Sequence, residues 1–195
     1  MRAVVDSFAL RPDGSGADLE LTMRGLGADL HAHLAVHADA SRLEVRLTVE
    51  TRTDIASNRL GLVVLHPPAV AGADLVIGGA NGGERRTAFP ESVSPHQPAM
   101  DIRSLAWTHD GVATTATFDG DVFEMEDQRN WTDASYKTYS TPLERPFPVV
   151  IADGAVIEQA VVFDSARVAP GAMDAATDAA RAGRSRRARR RASPP

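Results

Sequence analysis

Apolar and polar residues alternate with a period of two along most of the chain, and turn-forming residues recur between the alternating stretches. This is the mark of strands with one buried face. From Asp18 to Met23 the alternation puts Leu19, Leu21 and Met23 on one side, and Gly25 to Gly27 end the run. Leu30, Ala32, Leu34 and Val36 form the next apolar face with His31 and His33 opposite, so the two stretches read as a hairpin. Leu43, Val45, Leu47 and Val49 repeat the device against Glu44, Arg46, Thr48 and Glu50. Leu60 to Leu65 is apolar on both sides, which predicts a central strand. Leu75 to Ile77 runs into Gly78 to Gly83, a hairpin tip where positive φ is cheap. Pro90, Pro95 and Pro98 hold their segment extended, so it is expected to cross the surface. Ile102 to Trp107, Val112 to Phe118, Val149 to Ile151 and Val156 to Phe163 bring the expected strands to about ten.

No stretch before Ala166 keeps a helical period over three turns, and strands do not alternate with helices as a parallel sheet requires. The fold expected is all-β: an antiparallel two-sheet β-sandwich over residues 1–165. After Phe163 the composition turns to alanine, arginine, glycine and proline, and residues 166–195 are expected to be a disordered basic tail or the product of a lost reading frame near Ser165.

Charge divides the chain at the same place. From Arg167 onward eight arginines face Asp174 and Asp178, giving +6, which leaves −11 on residues 1–166 out of a total of −5. So acidic a body disfavours nucleic acid, whose affinity comes mainly from neutralised phosphates. Arg184 to Arg191 admits a nucleic-acid arm or a localisation signal, but a solvated end is the simpler reading. Apolar residues make up 43% and charged residues 24% of 195, enough for a real core without staples. Cysteine is absent, which removes disulfides, thiolate metal sites and cysteine nucleophiles. Asp6 interrupts the first ten residues and no apolar run reaches membrane-spanning length, so the expectation is a cytoplasmic chain with no membrane partner.

Candidate chemistry concentrates between Phe123 and Tyr139. Phe123 and Met125 share one strand face, so Glu124 and Glu126 project together on the other, roughly 6 to 7 Å apart. Two like charges so placed need a cation, for which Arg129 and Lys137 are at hand. The cluster, with Asp127, Asn130 and Asp133, suits either acid–base work or a salt-bridged network that fixes a loop. Trp131, Tyr136 and Tyr139 are three of only ten aromatics in the chain, and Trp, Tyr and Arg are common anchors of sugar sites and interfaces. Thr132 or Asp133 is placed to cap a helical turn that would present Tyr136 and Lys137 on neighbouring faces. His96, held between Pro95 and Pro98, is a further candidate contact across a groove. His31 and His33 have the spacing of half a zinc site without a third ligand; solvent-facing strand histidines explain them more simply, and no metal or other cofactor is expected. Serine-elbow, phosphate-loop and dinucleotide motifs are absent.

Three segments together resemble a known family. They are Asn58 to Pro67, then Phe89 to Pro98 with Asp101-Ile102-Arg103, then Gly120-Asp121 with Phe123 to Tyr139, the last being the most specific. Over about Asp18 to Phe163 the chain is similar to the N-terminal β-domain of D-apionate lactonases. The resemblance implies a role in hydrolysing D-apionolactone to D-apionate, in catabolism of the plant sugar apiose. It also implies a TIM-barrel domain after the β-domain, where the catalytic carboxylates are expected. A barrel needs about 250 residues, so the chain is expected to lack it and to be inactive alone, with the missing barrel as its partner. In that setting Glu126 or Asp127 would orient a sugar hydroxyl and Arg129 or Lys137 would face the product carboxylate of a sugar lactone. Read from the residues alone, a free-standing carbohydrate-binding or protein-interaction sandwich stays open.

Overall fold

The structure, a computed structural model, describes residues 2–131, 133, 135–143 and 145–168. Thr132 and the tail from residue 169 onward therefore lie outside the described residues. Among those described there are fourteen strands: β1 Arg2–Leu10, β2 Gly16–Gly25, β3 Ala28–Ala38, β4 Arg42–Thr51, β5 Ile55–Ser57, β6 Val63–His66, β7 Asp74–Gly79, β8 Glu84–Ala88, β9 Ala99–His109, β10 Val112–Asp119, β11 Phe123–Asp127, β12 Tyr136–Tyr139, β13 Val149–Ile151 and β14 Val156–Arg167. All pair antiparallel. No helix among the described residues is long and apolar enough to cross a membrane.

The first layer runs β1-β2-β3-β4-β14-β10-β9, with β7 and then β8 beyond β9. Its period-two alternation produces continuous apolar rows across neighbouring strands. Phe8, Leu19, Leu34 and Leu47 follow one another in register, as do Leu10, Ala17, Val36, Val45, Val161 and Phe118. The second layer starts where the N-terminal half of β9 pairs with β11, and continues through β12 to β6; the short pair β5 and β13 completes it. Phe123, Met125 and Tyr136 of this layer close on Leu75, Ile77, Leu105, Ala116, Phe118 and Val161 of the first. A smaller cluster joins Leu30, Ala32 and Val49 to Ile55, Leu60 and Ile151. The architecture is thus the expected antiparallel sandwich, with two cores rather than one.

Cover is incomplete. Val5, Phe8 and Leu10 point to the same side as the core residues of β2 and β3, yet they are 58%, 59% and 69% exposed, because the β5–β13 pair is too short to reach them. The bulge between Val5 and Ser7, with Asp6 at the kink, twists β1 and blunts its open edge against pairing with another strand.

Four elements differ from the sequence pattern. Residues 2–10 form a strand although no turn-bounded alternation marks them, because the bulge at Asp6 shifts the period by one. The apolar run from Leu60 becomes β6 only from Val63, and it is an edge strand, not a central one: Val64 faces the core while Val63 and Leu65 stand exposed. Tyr136 to Tyr139 form a strand rather than the end of a helical turn. The single helical turn nearby is the 3-10 turn Gln128–Trp131, and Asp133 lies beyond it. Finally, β14 continues to Arg167, held by β10, so the folded body extends two residues past 165.

Candidate functional site

Strand register decides what the Phe123 to Tyr139 segment can present. Glu124 pairs with Tyr139 and Glu126 with Lys137, so these four side chains share one face of the second layer. Met125, Asp127, Tyr136 and Thr138 alternate onto the other face, toward the core. The predicted separation of Glu124 and Glu126 from Phe123 and Met125 is what the structure has. Tyr136 and Tyr139, in contrast, go to opposite faces.

The core-side group is a clamp. The Asp127 carboxylate is fully buried and takes hydrogen bonds from Arg129 Nε and Nη2, both at 2.8 Å, and from the Ser94 backbone at 2.8 Å. These bonds, the guanidinium first, hold its carboxyl below the usual carboxylate range. Arg129 also donates to the carbonyl oxygens of Pro90 at 2.8 Å and Glu91 at 3.2 Å and lies over the Tyr136 ring at 4.5 Å. The Tyr136 hydroxyl reaches the same Pro90 oxygen at 2.6 Å. Asp127, Arg129 and Tyr136 thus anchor the proline-rich loop, as a salt-bridged network would. His96 sits exposed on that loop, its carbonyl accepting from Ser94 Oγ at 2.7 Å. Asn130 and Trp131 are exposed on the 3-10 turn and Asp133 is exposed after it.

On the outward face a different arrangement gathers around Tyr139. Glu124 is fully buried and accepts from the Tyr139 hydroxyl and, at 2.9 Å, from the Leu143 backbone. Burial, and then the bond to Glu124, pushes the Tyr139 phenol far above its ordinary value, so it remains a proton donor. Arg59 stacks on the Tyr139 ring at 4.1 Å and Lys137 approaches it at 5.1 Å. Both cations face Glu126 Oε2, Lys137 at 3.5 Å and Arg59 at 3.9 Å. Sequence spacing missed Arg59, which lies 67 positions before Glu126 and joins it only because β12 pairs with β6 just beyond the loop that carries Arg59. Its place in Asn58-Arg59-Leu60-Gly61, part of a segment read above as resembling a known family, was the available signal.

Behind this face, Gln159 links the layers: its side chain accepts from the Leu62 backbone at 2.8 Å and donates to Ser140 Oγ at 2.8 Å, which in turn donates to Asp121 at 3.0 Å. His66 is buried in the core, 2.9 Å from Thr138 Oγ1, and burial pushes its imidazole down to about 4. His31 and His33 instead pair with Glu20 at 3.2 Å and Asp18 at 3.1 Å on the far face of the first layer. Among the described residues no three His, Asp or Glu side chains converge as a metal site.

A D-apionate lactonase of Brucella anthropi is 39% identical over 133 residues, covering 66% of this chain and 22% of the relative, so the chain spans less than a quarter of that protein. In fold it is similar to a GalM/aldose epimerase homologue of C. elegans, with a TM-score of 0.54 and 12% identity over 87% of this chain and 70% of the other. A galactose 1-epimerase of Lactobacillus acidophilus gives 0.52 and 10%, over 85% of this chain and 67% of the other. The galactosidase domain of an alpha-galactosidase-sucrose kinase also gives 0.52 and 10%, over 85% of this chain but 28% of that one. These likenesses concern fold alone. Residues 1–168, the whole described body and three residues beyond the sandwich boundary read from composition, match the family described as D-apionate lactonase, N-terminal domain, and to that family the chain belongs.

Proposed function

We propose that this chain acts as the N-terminal β-domain of a D-apionate lactonase-like hydrolase of apiose catabolism, working in the cytoplasm and inactive without a barrel domain that carries the catalytic groups. The family match over residues 1–168 carries the reading. Opening a lactone needs an activated water and donors for a developing oxyanion. The best-buried acids of this domain have other duties: Asp127 holds the proline loop, and one oxygen of Glu124 is committed to Tyr139 and Leu143. The uncovered apolar surface at Val5, Phe8 and Leu10 offers an adjoining domain a place to bury.

The test is a chimera in which residues 1–168 replace the matching N-terminal part of the Brucella anthropi lactonase. D-Apionolactone turnover by the chimera, and none by the 195-residue chain alone, is the expected pair of results. A folded but inactive chimera would overturn the reading, as would turnover by the chain alone.

A further inference from the structure

Two ion-pair groups lie on opposite faces of the same two strands, and they differ in a way that points to a ligand. Asp127 and Arg129 meet at 2.8 Å in the range of a charge-assisted hydrogen bond, and their other polar atoms have partners. Across the sheet, Glu126 Oε2 stands 3.5 Å from Lys137 and 3.9 Å from Arg59 with no hydrogen bond to either. Glu124 Oε2 and Arg59 Nε, both buried, also have no partner. Three of the five such atoms among the described residues therefore surround one ring, Tyr139. Leaving buried polar groups unmade is costly, and native structures keep few of them. The cluster is not sealed: the Arg59, Glu126 and Lys137 side chains retain 31%, 22% and 19% of their exposure, and Val63 and Leu65 stand exposed on the same face.

We infer that Arg59, Lys137 and Glu126 over Tyr139 form a binding site for a small polyhydroxy carboxylate, the open-chain acid that a sugar lactone yields. Two cations that share one carboxylate at a distance have capacity for a second, and the planar guanidinium suits a carboxylate in particular. Glu126 accepts from ligand hydroxyls, which a simple carboxylate lacks. The carbon chain lies against Val63 and Leu65. A neutral sugar brings no second carboxylate to the two cations, which then share only Glu126, and a dicarboxylate brings a second negative charge to Glu126. The inference rests on the lactonase reading only in making D-apionate the first acid to try.

Isothermal titration of the 195-residue chain at neutral pH and low salt tests it, with D-apionate, apiose and acetate as probes. Saturable binding of D-apionate, with apiose and acetate at least about tenfold weaker, is expected. Arg59→Met and Lys137→Met should each weaken D-apionate by about tenfold or more, while Lys137→Arg should stay within about threefold. Glu126→Gln separates a ligand site from a purely structural network, because it removes the carboxylate that competes for the two cations. Affinity for D-apionate should then rise about twofold or more, with amide shifts at Lys137 and Tyr139 on titration. No binding by the unaltered chain, equal binding of acetate, or a Glu126→Gln variant that binds no better would each overturn the inference. Because binding is read without catalysis, an inactive chimera with intact binding refutes only the lactonase role, and an active chimera whose β-domain binds nothing refutes only the site.

Discussion

Between neutral pH and about pH 4, acid should weaken this domain through His66. Its side chain is 1% exposed on β6, with Phe89 at 5.5 Å and Trp107 at 5.4 Å between ring centroids. Its polar contact is Nε2 to Thr138 Oγ1 at 2.9 Å. Burial lowers the imidazole from 6.5 to about 4, so the folded chain holds it neutral where the unfolded chain would protonate it. Between these two values the unfolded state binds one more proton, and stability falls as pH falls. Stability is unaffected above 6.5, declines by about 1.4 kcal/mol per pH unit below it, and is lower by roughly 3 kcal/mol once pH 4 is reached. Against a typical total of about 5–15 kcal/mol that loss is large. Asp127, whose carboxyl is held low by Arg129, contributes in a separate window: its stabilisation is present above its unfolded value of 3.8 and disappears below it. Urea unfolding followed by tryptophan fluorescence at pH 7.5, 6.5, 5.5 and 4.5 measures the effect, with His66→Gln as the reference that keeps a hydrogen-bonding group but cannot titrate. The gap between the two proteins should be constant at the two higher pH values and shift against the wild type by about 1.4 kcal/mol per unit below them. Parallel curves from pH 7.5 to 4.5 would refute the assignment. The consequence reaches the outward face, since His66 pairs with Tyr136 at one end of β12, the strand that also carries Lys137 and Tyr139.

Other substitutions read other parts of the design. Asp127→Asn leaves the half-buried Arg129 without its carboxylate partner and should cost about 3 kcal/mol in urea unfolding, with faster amide exchange at Ser94; an intact Ser94 amide would show that the loop is held by something else. Gly120 has φ of +88°, and a Cβ there would overlap the Glu158 carbonyl oxygen, so Gly120→Ala should lower stability by roughly 3 kcal/mol or more, and a thermal midpoint within a degree or so of wild type would contradict that geometry. Phe8→Ser combined with Leu10→Ser should cut the fluorescence of a bound apolar dye while changing stability by only about 0.5 kcal/mol; unchanged dye binding would mean that this face is not the main uncovered surface.

What the sequence reveals and conceals follows from what a period of two encodes. Alternation states which residues share a face, and Leu19, Leu34 and Leu47 do align across three strands as their spacing predicts. It does not state what covers the face. Val63 to Leu65 reads as doubly buried, yet one side of it is open, and the row through Leu34 and Leu47 ends at an exposed Phe8. Nor does alternation survive a bulge, which is why β1 goes unseen. Glu124 and Glu126 were legible as a pair because both lie on one strand. Arg59, Gln159 and Ser94 were not, because each reaches the segment through pairing with distant strands or through a loop.

The division of labour within one segment follows from the same alternation. On β11 the carboxylates at 124 and 126 go outward and the one at 127 goes inward, and the register to β12 then sets which cations they meet. Asp127 finds Arg129 two positions away, where the start of the 3-10 turn brings the guanidinium back upon it, and the pair closes to hydrogen-bond distance. Glu126 is offered Lys137 from across the ladder and Arg59 from a preceding loop, and two cations approaching one oxygen from different elements both stop short of it. A structural role rewards the first geometry and gains little from the second, since an ion pair at partial exposure is worth about 0 to 1 kcal/mol. The outward group therefore makes physical sense chiefly in the presence of a further charge and further hydrogen-bonding atoms, supplied by a ligand held over Tyr139.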